Sequence, residues 1–149
     1  MKTEIQTLCD ILKHSFEKNA WHGPAVLEAL SDIDEKIINK KINKTHSILE
    51  LVTHMTAWRT YVINMLLGND GFEISDEMNF QSEISWSHAI ADLKESQVKL
   101  LIALESFPIE NLHVLVPNRP YKFFTMLHGI IHHDLYHVGQ IVLIKRIHE

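Results

Sequence analysis

The stretch HHDLYHVGQI, residues 132–141, sets His133 and His137 four positions apart beside Tyr136, Gly139 and Gln140. At 100° per residue, Met126, Gly129, Ile130, His133, His137, Gln140, Ile141 and Ile144 share one broad face of a helix running from about Lys122 to Ile147. That face is apolar except at the two histidines and Gln140. It should therefore point at a core, with two imidazoles one turn apart and able to converge on a common centre. The opposite side carries a second apolar stripe, Leu127, Ile131, Leu135, Val138 and Val142. Such a stripe needs another surface to cover it, and the expectation drawn from it is a homodimer.

Helical periodicity extends over most of the chain, and strand-like alternation is confined to LHVLV near residue 114. Ile5, Leu8, Leu12 and Phe16 form one stripe of a first helix, about Thr3 to Lys18, with Cys9 on the buried face, and WHGP at residues 21–24 ends it. AVLEAL then reads as a short helix after Pro24, and SDIDEKIINKKINK as a polar connection contributing little core. Ser47 with Glu50 fits a capping box at the start of a helix that Gly68 and Asn69 stop after Leu67. Residues 69–85 are polar and loop-like. A further helix follows, with Trp86, Ile90, Leu93, Leu100, Leu101 and Leu104 along its buried side, and Pro108 closes it. The sequence thus predicts an all-α fold, a single domain over 1–149, built as a four-helix bundle with a short extra helix between the first and second long helices.

Composition narrows the function. The chain has 149 residues, 46% apolar and 22% charged, with a net charge of −5 and no long basic run, so the positive stripe that nucleic acid requires is missing. No segment approaches the roughly 18 consecutive apolar residues of a membrane span, and the N-terminus has no continuous apolar stretch, so a cytoplasmic protein is expected. A single cysteine removes any cysteine-based zinc cluster and any internal disulfide.

Two imidazoles make a weak metal site, because zinc-like ions take three or four protein ligands. His54 is the natural third. It sits mid-helix in ELVTHMTAWR, on a face shared with Glu50, Leu51, Trp58, Tyr61 and Met65. A lone histidine on an apolar face is more often a satisfied core residue than a ligand. Three together share a cost that one cation removes, since each buried imidazole must otherwise find its own partner. A zincin reading of HDLYH fails: Asp134 stands where a glutamate base would act, and His148 is about 16 Å further along a continuous helix at 1.5 Å per residue. His128 and His132 point away from the face of His133. Trp21 and His22 read as structural turn residues, with His22 a weaker candidate for the mouth of the site.

WHGPAVLEAL, HSILELVTHMTAWR and YKFFTMLHGIIHHDLYHVGQI, in that order, resemble the DinB-like (damage-inducible) family of metal-binding four-helix bundle proteins. The resemblance covers nearly the whole chain. It implies a divalent metal ion, zinc or nickel, bound through His54, His133 and His137. By analogy with thiol-dependent relatives, it also implies transfer chemistry with a low-molecular-weight thiol.

Three neutral ligands leave a dication with its full charge and an open position, as in catalytic sites. The ion could activate water, hold a thiolate or polarise a carbonyl, which correspond to hydrolase, thiol transferase and isomerase chemistry. A metal-dependent transferase or hydrolase acting on a small molecule is the first expectation. A non-catalytic metal-binding module for stress response or interaction is the alternative. Glu50 could orient a ligand or take a proton, though the capping-box role is the favoured reading. Trp58, Tyr61, Tyr136 and Gln140 are candidates to line a pocket, and Gly139 should allow close approach of a neighbouring helix.

Overall fold

The computed structural model describes residues 1–148. Its regular structure is helical: α1 (Glu4–Phe16), α2 (Val26–Leu30), α3 (Ile48–Leu66), α4 (Trp86–Glu105) and α5 (Phe123–His148), with one 3-10 turn at Ile109–Asn111. The boundaries follow local chemistry. Thr3 and Gln6 form a capping box on α1, Ser47 and Glu50 form one on α3, and the Ser85 hydroxyl accepts from the His88 amide at the start of α4. Gly68 ends α3 with a φ of +80°, a conformation open to glycine at no steric cost. LHVLV does not form a strand. It makes turns and a single antiparallel bridge, Leu115 to Lys122, which leads the chain into α5.

Each long helix lies against two others: α3 packs on α4 and α5, and α1 packs on the same pair from the other side. The short α2 covers α5. Two apolar clusters result. One gathers Leu8, Leu12, Val62, Leu100, Leu104, Leu127 and Ile130; the other gathers Phe16, Val26, Leu51, Met55, Leu93, Val138 and Ile141. Cys9 is buried, as its position on the α1 stripe implies.

A polar layer separates the clusters along the helices. Arg59, fully buried, donates from Nη2 to Asp134 Oδ2 at 2.6 Å, from Nε to Gln97 Oε1 at 3.3 Å, and from Nη1 to the Met55 carbonyl at 3.3 Å. Its guanidinium lies 4.9 Å from the centre of the Phe16 ring, and Gln97 Nε2 donates to the Leu12 carbonyl at 3.1 Å. One cation thereby joins residues of all four long helices. Burial pushes the Asp134 carboxyl up and Arg59 opposes that shift. The pair fixes how α5 sits on α3, and α3 and α5 carry the histidines.

Three expectations need correction. The connection between α2 and α3 contributes to the core after all, because Ile37 and Ile38 are buried and the Ile38 carbonyl accepts from the Leu49 amide at 3.0 Å. The second stripe of α5 is filled from within the chain: Leu127 and Ile131 pack with the α1 residues Ile5, Leu8 and Leu12, and Val138 packs near α2. The reason for expecting a homodimer from that stripe does not carry over. Gly139 is exposed, and a Cβ placed on it would meet nothing within 4 Å, so no helix approaches there.

Candidate metal centre

His54 projects from the second turn of α3, and His133 and His137 from consecutive turns of α5. The packing of α3 on α5 brings the three rings together. His133 Nε2 stands 3.1 Å from His54 Nε2 and 3.1 Å from His137 Nε2. Nitrogens held tetrahedrally by an ion at bond lengths of 2.0–2.1 Å lie about 3.3 Å apart, so this spacing suits a shared zinc-like ion. His54 and His137 are buried and His133 is half-buried.

The outer nitrogens determine what the inner ones can do. His137 Nδ1–H donates to Gln140 Oε1 at 2.7 Å, and His54 Nδ1–H donates to Asn79 Oδ1. An amide oxygen can only accept, so both imidazoles carry their proton on the outer nitrogen and present an Nε2 lone pair inward. His133 Nδ1 is buried and has no partner among the described residues. Burial pushes His133 down to about 3 and His54 down to about 4, and it lowers His137 as well. All three rings are therefore neutral near pH 7. Converging lone pairs at this distance repel unless a proton or a cation lies between them, and the set could hold a metal ion.

The loop between α3 and α4 supplies what the sequence reading missed. Thr53 Oγ1 donates to the Gln81 carbonyl at 3.1 Å and pins the loop to α3. Asn79 then reaches His54, and the Phe80 ring slots between two imidazoles, 3.9 Å from His54 and 3.6 Å from His46, each within 8° of parallel. Phe80 has a φ of +52°, a left-handed conformation that costs a non-glycine residue about 1–2 kcal/mol. The two stacks and the Asn79 bond hold it there. Loop residues carry no periodic signal, so neither could be found from spacing.

The other candidates separate cleanly. Gln140 serves as the partner of His137. Tyr136 is 66% exposed, with its ring 5.0 Å from that of His137. Glu50 is consumed elsewhere: it accepts from the Ser47 amide at 2.8 Å and from Lys41 Nζ at 2.7 Å, and its role is the capping one. His128 and His132 stay outside the cluster, with His128 against Phe124. Trp21 and His22 lie in a turn, Trp21 fully exposed, and both line a groove separate from the triad.

Trp58 and Tyr61 do line a pocket. Together with Tyr121, Met126 and Gly129 they line an open cavity of about 300 Å³ that reaches His133. This is the lower end of the range for small-molecule sites. The chain matches no known protein family, no curated protein and no solved structure. Among the described residues, no helix is long and apolar enough to cross a membrane.

Proposed function

We propose that this chain is a metal-dependent enzyme of the DinB-like four-helix bundle type, holding zinc or nickel on His54, His133 and His137 and acting on a small molecule. The observation that carries the reading is that His133 belongs both to the triad of nitrogens and to the wall of the cavity. A purely structural ion would need no such opening. When bound, a divalent ion on three neutral imidazoles supplies a Lewis acid that lowers the pKa of a water or thiol and polarises an electrophile.

The chain's own residues have distinct tasks. Asn79 and Gln140 hold the tautomers of His54 and His137. Phe80 keeps water from one face of His54, while Trp58, Val62 and Met126 give the cavity an apolar wall. Arg59 and Asp134 maintain the register of α3 and α5. Among the described residues, no carboxylate stands free beside the triad to act as a strong base, since Glu50 is committed to its cap. That favours thiol-dependent transfer, in which a thiol gives up its proton readily, over hydrolysis.

Two measurements test this. Elemental analysis should show metal lost from His54→Ala, His133→Ala and His137→Ala and retained in His14→Ala and His88→Ala. A screen of electrophiles with several cellular thiols should show turnover by the metal-loaded protein that disappears on chelation. Metal binding without turnover would leave the non-catalytic module as the reading.

A further inference from the structure

The end of the cavity away from the histidines is built from hydrogen-bond donors. Tyr61 and Tyr121 both line it, and their hydroxyls stand 3.1 Å apart. Behind them, Arg119 Nε donates to the Tyr61 hydroxyl at 2.8 Å, and its Nη2 pairs with Glu73. The hydrogens can be counted. Tyr61 oxygen accepts from Arg119, and one phenol hydrogen makes the bond between the two tyrosines. The other phenol hydrogen has no acceptor among the described residues.

Either hydroxyl can donate across the pair; when Tyr61 does, the unspent hydrogen is that of Tyr121, and burial, which pushes this phenol up to about 12, keeps it in place at neutral pH. Among the described residues, Glu73 is the carboxylate that pairs with this cluster. Its carboxylate is 71% exposed and bonds the far side of the guanidinium, where water and salt screen it. A cationic or donor-only group would meet donors and a positive charge at this end, whereas an oxygen acceptor would complete the chain from Arg119 through Tyr61 and Tyr121.

We infer that the cavity binds a small molecule with a short apolar body and a terminal carboxylate, the carboxylate accepting from the Tyr121 hydroxyl and the opposite end lying toward His133. The apolar walls of Trp58, Val62 and Met126 hold the body, and Gly129 leaves the room for it. This substrate class rests on the reading of the histidines as the reacting centre, though the binding itself needs only the tyrosines and the cavity.

Calorimetric titration with hexanoate and with hexylammonium, on the metal-loaded protein, tests the proposal. Hexanoate should bind the unaltered protein at least tenfold more tightly than hexylammonium. Tyr121→Phe should weaken hexanoate by roughly tenfold, the usual scale for a hydrogen bond to a charged group. Gly129→Leu should abolish binding by filling the cavity, since a Cβ there meets nothing within 4 Å and the helix has no steric reason to distort. Both variants should keep their metal and their circular dichroism.

Hexanoate that fails to bind, or binds equally to the Tyr121→Phe variant, overturns the inference. Binding lost on chelation but indifferent to Tyr121 places the carboxylate on the ion and overturns it too, while leaving the metal centre intact. Conversely, metal retained by the histidine variants would remove the metal centre and leave the Tyr121-dependent binding standing.

Discussion

His54 and Asn79, 25 residues apart, are joined through a bond from the imidazole Nδ1–H to the amide oxygen, so a loop residue decides which nitrogen of a helical histidine faces the centre. Outer partners of this kind commonly account for 10–100-fold in metal affinity. Asn79→Leu should therefore weaken zinc binding by about that factor with little change in fold, measured by competition with a chromophoric chelator. Unchanged affinity would show that Asn79 does not orient the ring.

The buried cation makes a second prediction. Arg59→Met leaves the Asp134 carboxyl without its partner in a dry interior and should cost about 3–5 kcal/mol in denaturant unfolding. Arg59→Met combined with Asp134→Leu should recover most of that loss, because the two sites interact directly. Equal destabilisation by the single and double variants would mean that the pair is not coupled.

Gly139 offers a gain. It sits exposed in the interior of α5 with free space for a methyl group, and Gly139→Ala should stabilise the protein by about 0.5–1 kcal/mol through helix propensity. A lower melting temperature would indicate a neighbour that the fold does not show.

The buried histidines set a pH response for the metal-free protein. His54 and His133 have folded values of about 4 and about 3 against an ordinary 6.5, so the unfolded chain takes up protons that the folded one refuses. Both are neutral in either state above pH 7, and stability falls as pH drops from about 6.5 toward 4. Asp134, raised to about 6, works in the opposite direction, and the imidazoles outnumber it. Urea midpoints taken across that window should decline with acid, and the decline should shrink in the double variant His54→Leu, His133→Leu. A flat profile would contradict neutral burial.

What could be read in the sequence divides along a physical line. The helices and the three histidines were legible because a helix repeats its chemistry every 3.6 residues, so His54, His133 and His137 stand out against apolar stripes, and Ser47 with Glu50 marks a start. Arg59 was hidden by the same rule, since a polar residue on a crowded helix has no visible partner until Gln97 and Asp134 are brought beside it. Asn79, Phe80 and Tyr121 belong to connections whose conformation is set by tertiary contacts. The side of α5 facing α1 and α2 was misjudged because the α1 stripe and the short α2, with Ile37 beside it, supply more cover than the polar flanks suggest.

The position of Phe80 has a directional consequence. Its hydrocarbon ring seals the flank of the triad nearest His46, while the opposite flank opens beside Trp58. The cavity that reaches His133 lies on the Trp58 side. Changes that retune selectivity should therefore collect around that entrance, and the sealed flank should tolerate little besides a flat ring.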